Sequence, residues 1–214
     1  MKPLHLGISS LPLLSLLVPS LVLAGESKAI EPPISSNSEY STKACQSRAI
    51  GNGIFRAYSN PKPVSNHAFS ANGGRRIKLN SLAGPRALLV NFWTTWCTPC
   101  IEEMPSMDRL QSRVPLDKLL ILPLVRDGKG LSQAITFYRR YEIKHLPVAA
   151  DRFGKISSEH HIGPVPQTLF VNQQGLVKGL LVGAVDWEST AVLDLLDSCL
   201  DIKVSESTQA AKSQ

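Results

Sequence analysis

The stretch NFWTTWCTPCIEEMP, Asn91 to Pro105, decides the fold, because Cys97 and Cys100 stand there with only Thr98 and Pro99 between them. Just before it, ALLVNFW (Ala87 to Trp93) is a continuous apolar run, the mark of a strand buried on both faces. Just after it, Cys100, Met104, Met107, Leu110 and Val114 recur every three or four residues, the spacing of a helix with one buried stripe. Cys97 therefore falls where a strand gives way to a helix. The free amides and dipole of a helix N-terminus favour a thiolate, lowering its pKa from a free value of about 8.5. Cys100 lies one turn later and can reach back to close a small disulfide. So short a bridge constrains the unfolded chain little, so it is poor as a staple and well suited to opening and closing. Trp96 and Pro99 wall the pair and leave the first sulfur the more exposed one. Glu102 and Glu103 read as a solvated helix face; a modest electrostatic opposition to the thiolate is the functional alternative.

Further along, LLILPLV (Leu119 to Val125) reads as a second buried strand and LSQAITFYRRY (Leu131 to Tyr141) as a second helix. QTLFVNQQGLVKGLLVG reads as two strands joined by a turn at Asn172 to Gly175. DWESTAVLDLLDSCL opens with Asp186 as a candidate N-cap and runs as a helix to about Leu200. The order β-α-β-α, an inserted segment, then β-β-α predicts an α/β fold: a central mixed sheet flanked by helices, over residues 67–201. Residues 25–66, rich in Ser, Asn, Pro and Lys, read as a linker or N-terminal arm with a short helix around Cys45 to Ala57. Residues 202–214 read as a disordered tail.

The chain has 214 residues and a formal net charge of +6, from 23 Lys and Arg against 17 Asp and Glu. The basic residues are scattered without an aromatic-interleaved stripe, which argues against nucleic-acid binding and for acidic partners. Residues 1–24 begin with Lys2 and continue as an apolar run to Leu23, followed by Ala24, as in an export signal. Pro12 and Pro19 argue against a firm transmembrane helix, and an uncleaved N-terminal anchor is the alternative reading. In an oxidising compartment the even set Cys45, Cys97, Cys100 and Cys199 suggests paired thiols. Cys199 has two readings: a small buried hydrophobe of the last helix, or one end of a structural disulfide to Cys45 that ties the arm across the domain.

The segment LLVNFWTTWCTPCIEEMPSM resembles the active-site strand and helix of thioredoxin-fold proteins, specifically the exported TlpA/ResA/CcmG group of thiol-disulfide oxidoreductases. The resemblance runs from about His67 to Leu200. HAFSANGGRRIKLNSLAGPRALLVNFW is similar to that group's short hairpin and lead-in, and Pro105 matches the proline in its active-site helix. IGPVPQTLFVNQQG resembles the segment carrying the family's cis-proline, which would be Pro166, with Val165 presenting its backbone beside the disulfide. The resemblance implies Cys97 and Cys100 as the catalytic pair, with Trp96, Pro99, Val165 and Pro166 as the substrate-docking residues. It implies a periplasmic reductant of selected client proteins, in cytochrome c or copper-site maturation, fed by a membrane-embedded thiol reductase; no organic cofactor site is visible in the sequence, and a monomer is expected. Two departures stand out. Asn91 occupies the strand position where thioredoxin has a buried acid, so another base or water must serve. Gln167 stands between the proline and Thr168, which bears on substrate preference.

Rival chemistries fit less well. Zinc needs four ligands, and a lone C-x-x-C supplies two, with His145, His160 and His161 placed in the inserted segment, so no metal is expected. A copper-delivery module on the same fold would use C-x-x-x-C and a distant histidine; Met104 and Met107 read as core residues instead. The peroxiredoxin pattern P-x-x-x-T-x-x-C finds its threonine at Thr94 but has Val90 in place of the proline. A general oxidase or isomerase remains the other alternative, although Thr98-Pro99 differs from the Pro-His of the DsbA type.

Overall fold

The computed structural model describes residues 44–204. The expected signal or anchor of residues 1–24 lies outside them, as does most of the tail. Among the described residues nine strands form one sheet: β1 (Arg48–Ile50), β2 (Gly53–Pro63), β3 (Ala68–Ala71), β4 (Arg76–Lys78), β5 (Ala87–Trp93), β6 (Leu119–Val125), β7 (Ala149–Ala150), β8 (Gln167–Val171) and β9 (Leu176–Val182). Four α-helices accompany them: α1 (Thr98–Arg113), α2 (Leu131–Arg140), α3 (Lys155–Glu159) and α4 (Thr190–Leu200). The strand order is β1-β2-β9-β8-β5-β6-β7-β3-β4. β5 and β6 run parallel, as the α1 crossover requires, and β8 runs antiparallel to both β5 and β9.

All seven residues of β5 are buried, and their alternation sorts them between two cores. Ala87, Leu89 and Trp93 face the core built with Met104, Met107 and Leu110 of α1 and Val192, Leu195 and Leu196 of α4. Leu88, Val90 and Phe92 face the opposite core, closed by Phe69, Leu79 and Ile156 of α3. The long helices α1, α2 and α4 thus share one face of the sheet. The other is covered by the five-residue α3 and a 3-10 turn at Leu79–Leu82, with Val64 and the β3 side chains Phe69 and Ala71 in the same core. Pro105 lies inside α1, where its ring leaves the Ile101 carbonyl without the usual amide donor.

Three expectations need correction. Of the expected linker, residues 25–43 lie outside the described residues, and the part expected as a helix at Cys45–Ala57 is instead a β-hairpin, β1 paired to β2, that extends the sheet along β9. Its turn is Gly51–Asn52, and Gly51 takes the positive φ that a two-residue hairpin asks of its first central residue. β2 packs so closely on β9 that a Cβ on Gly179 would sit 2.4 Å from the Phe55 ring and 2.6 Å from the Arg56 carbonyl. Secondly, α4 starts at Thr190 with Ser189 at its N-cap; Asp186 closes the turn before it, accepting from the Glu188 amide. Thirdly, Ile202 is buried and its amide bonds the Leu196 carbonyl, so the packed body continues past residue 201.

The inserted segment is anchored by two buried acids. Asp108 of α1 accepts from three consecutive amides, Lys144, His145 and Leu146, at 3.1, 2.7 and 3.0 Å. Asp151 accepts from the Ile156 and Ser157 amides at the start of α3.

Candidate active site

Strand β5 ends at Trp93, and a turn held by Asp127 carries the chain into α1. Asp127, buried just past the end of β6, accepts from both the amide and the hydroxyl of Thr95. Cys97 is the N-cap of α1, and its sulfur accepts from the Cys100 amide at 3.3 Å. The sulfur of Cys97 therefore faces the amides of a helix N-terminus, an environment that stabilises a thiolate once the pair is reduced. Cys97 and Cys100 are disulfide-bonded. Cys97 keeps 6% of its surface exposed and Cys100 none, so Cys97 is the sulfur a partner can reach. Trp96 stands out beside it at 75% exposure, and Pro99 is exposed on the other side.

The Val165–Pro166 peptide bond is cis, and the Val165 carbonyl oxygen lies 3.6 Å from Cys97 Sγ. The neighbouring carbonyls of this loop have partners elsewhere. Gly163 accepts from Arg126 Nη1 at 3.1 Å, Pro164 from Gln167 Nε2 at 2.9 Å, and Pro166 from the Gly183 amide at 3.0 Å. Val165 is the member of the series that faces the reactive sulfur. The structure thus brings Trp96, Cys97, Pro99, Cys100, Val165 and Pro166 to one place. Gln167 acquires a definite role, since its buried side chain positions the loop that presents Val165.

Glu102 and Glu103 part company here. Glu102 is exposed on the helix surface. Glu103 is only 3% exposed, which corrects the solvated-face reading: it lies one turn after Cys100 and shares the packed face of α1. Its Oε1 accepts from Asn91 Nδ2 at 2.9 Å, and its Oε2 accepts from the Trp187 indole at 3.2 Å and the Val185 amide at 3.3 Å. Asn91 also donates to Thr168 Oγ1 on the neighbouring strand. Burial raises the Glu103 carboxyl from 4.5 to about 7, against the three donors, which favour the charged form. The acid missing from the strand at Asn91 is thus supplied from the helix. The sign available in the sequence was its spacing of three from Cys100.

The remaining pair, Cys45 and Cys199, is also disulfide-bonded, tying the chain ahead of β1 to α4, with Arg48 Nη2 donating to Ser198 Oγ beside it. Met104 and Met107 are fully buried on the helix stripe. His160 accepts from the Ser65 amide through Nε2, and His67 lies 3.8 Å from Glu159; His145 is separate on the Asp108-anchored turn. Among the described residues no three His, Cys, Asp or Glu side chains are grouped to hold a metal ion.

Comparison with known proteins agrees with this geometry. The chain is 33% identical over 110 residues to the thiol-disulfide oxidoreductase ResA of Bacillus cereus, a match covering 51% of this chain and 62% of that protein. It is 31% identical over 114 residues to the thioredoxin-like protein YneN of Bacillus subtilis, covering 52% and 65%. The alignment therefore spans less than two thirds of the length of these relatives. Among solved structures, a thiol:disulfide interchange protein of the thioredoxin family from Chlorobium tepidum superposes with a TM-score of 0.54 at 20% identity, covering 67% of this chain and 99% of that one. A secreted disulfide oxidoreductase of Mycobacterium tuberculosis, homologous to DsbE of Escherichia coli, gives 0.51 at 18%, covering 61% and 94%. These superpositions establish the thioredoxin-like fold. The AhpC/TSA family model matches residues 62–179, from the end of β2 to the middle of β9 and across the whole redox site, and the chain belongs to that family.

Proposed function

We propose that this protein is an exported thiol-disulfide oxidoreductase that reduces disulfides of selected client proteins through the Cys97–Cys100 dithiol. The observation that carries the reading is the placing of Cys97 Sγ: at the N-terminus of α1, on the more exposed cysteine of the pair, and 3.6 Å from the carbonyl before cis-Pro166. In the reduced protein the Cys97 thiolate attacks one client sulfur, forming a mixed disulfide and releasing the other client sulfur as a thiolate that takes up a proton. Cys100 then loses its proton and attacks Cys97 Sγ, and the second client thiol leaves. The client gains two electrons and two protons, and the protein is left with the disulfide present in the structure. Glu103, buried one turn beyond Cys100 with its carboxyl raised to about 7, is the group that takes the Cys100 proton near neutral pH.

Supporting a reductive role are the ResA likeness and a Thr-Pro dipeptide between the cysteines. A peroxidase would need a proline at Val90, which instead lies buried in the middle of β5. An oxidising, periplasmic location is supported by the apolar N-terminal run and by four cysteines all held as disulfides. Clients in cytochrome c or copper-site maturation, a membrane-embedded thiol reductase as electron donor, and action as a monomer complete the proposal.

The reduction potential tests it, followed by Trp96 fluorescence across a thiol redox buffer. A value near about −270 mV or lower supports an electron donor, and one near about −120 mV would replace reduction with oxidation or isomerisation of folding chains.

A further inference from the structure

We propose that a basic, aromatic-lined track beside the redox pair is the docking surface for an acidic, extended segment of the client; this rests on the oxidoreductase reading above. A cavity of about 550 Å³ opens where β3, β4, β7 and the start of α2 meet, lined by Ser70, Arg76, Lys129, Ser132, Arg152 and Phe153 among others. Phe153 is 62% exposed, and the guanidinium carbons of Arg76 and Arg152 each lie 5.5 Å from the centre of its ring. The ring therefore supports two cations in fixed positions. A second cleft of about 410 Å³ shares Lys129 and Ser132 with the first and runs past Arg140 and Tyr141 to Thr95, two residues before Cys97. Arg140 in turn lies 5.7 Å from the Tyr141 ring centre. The two clefts are neighbours across Lys129 and Ser132, and together they line a track that reaches the active-site turn.

The cations of this track are not held in ion pairs. Among the described residues no carboxylate forms an ion pair with Arg76, Lys129, Arg140 or Arg152. Of the acids nearest in sequence, Asp127 is turned onto Thr95 and Asp151 onto the amides of α3, while Glu142, exposed two residues after Arg140, forms no ion pair with it. Four cations, two of them paired across one exposed aromatic ring, match carboxylates spaced along an extended chain. Two neighbouring concave clefts fit a peptide better than a flat bilayer. Two guanidiniums already lie against the Phe153 ring and compete with a nucleic-acid base for it.

The test is direct binding of a fluorescein-labelled, cysteine-free, Glu-rich peptide of a dozen or so residues, read by anisotropy against the full chain. We expect the triple variant Arg76→Ala, Lys129→Ala, Arg152→Ala to weaken binding at least about tenfold. A control triple, Arg56→Ala, Lys62→Ala, Lys118→Ala, removes the same net charge elsewhere and should leave binding within about twofold. All three residues of the first triple are exposed, so unchanged near-UV circular dichroism is expected and serves as the folding check. Equal losses in the two triples, or equal binding of a neutral peptide, would overturn the proposal by reducing it to net charge or to unselective adhesion. Loss of binding to phosphatidylglycerol vesicles with peptide binding intact would overturn it in favour of a membrane surface. Because the probe has no cysteine, its outcome is independent of insulin reduction, whose failure would instead remove the oxidoreductase reading.

Discussion

Cys97–Cys100 joins residues with a sequence separation of 3 at the exposed start of a helix, whereas Cys45–Cys199 joins residues with a separation of 154 across the packed body. In the chain-entropy description the short ring stabilises the fold by about 2 kcal/mol and the long one by about 5 kcal/mol. Their surroundings differ in the same sense. The short bridge lies between an exposed Trp96, the amides of α1 and the Val165 carbonyl. The long one packs against the α4 core and has an Arg48–Ser198 hydrogen bond alongside. One bond is placed to be exchanged and the other to be kept. The lesson is that the loop closed and the groups around the sulfurs, rather than the bond itself, separate a reagent from a tether.

The sharpest way to break this contrast is to remove each sulfur in turn. Cys97→Ala and Cys100→Ala should both reduce insulin-disulfide reduction to the uncatalysed background. Only Cys100→Ala should accumulate mixed disulfides, seen as gel bands lost on adding dithiothreitol; equal trapping by both variants would reverse the roles assigned to the two sulfurs. For the other pair, the double variant Cys45→Ala, Cys199→Ala should lower unfolding free energy by up to about 5 kcal/mol in urea. The potential of Cys97–Cys100 should stay where it was. A shifted potential with unchanged stability would invert the comparison.

A finer prediction concerns Glu103. Its carboxyl binds a proton more tightly in the folded chain, at about 7, than in the unfolded chain, at 4.5. A raised acid pKa means the folded state holds the extra proton between these values. Stability from this group is therefore greatest at acid pH and declines as pH rises from about 4.5 past 7, by about 3 kcal/mol in all. Glu103→Gln should abolish that decline, read as urea midpoints at pH 5 and pH 8. It should also flatten the pH dependence of the rate at which Cys100 resolves a mixed disulfide. The smallest expected effect is at the loop. Arg126→Ala or Gln167→Ala removes one carbonyl partner and should raise KM for a disulfide peptide about fivefold, with kcat and reduction potential nearly unchanged.

The legible parts were those with a period or a motif. β5, α1, β6 and the β8–β9 hairpin follow from apolar runs, a helical stripe and turn residues, and the redox pair from its spacing. What escaped was set by contacts between distant positions. Gly51-Asn52-Gly53 between Ile50 and Ile54 is a hairpin signal, yet the Pro- and Asn-rich flank, whose register shifts between Ala57 and Lys62, makes the segment look like a linker. Glu103, Asp108, Asp127 and Asp151 are ordinary acids in the sequence. Each is buried because backbone amides or side-chain donors from another element converge on it. No local pattern announces a carboxylate whose donors arrive from up to 84 positions away, as the Trp187 indole does at Glu103.

Cys45–Cys199 has a consequence for how the molecule comes apart. Together with the backbone it makes a covalent ring of nearly all the described residues. A protease that cuts once in an exposed loop, at Lys129 or Lys144 for example, opens the ring without releasing a fragment. The nicked protein keeps its mass, apart from one added water, on a non-reducing gel and separates into two pieces only after its sulfurs are reduced. In an oxidising, protease-rich surrounding, such a chain can be cut and still remain one molecule.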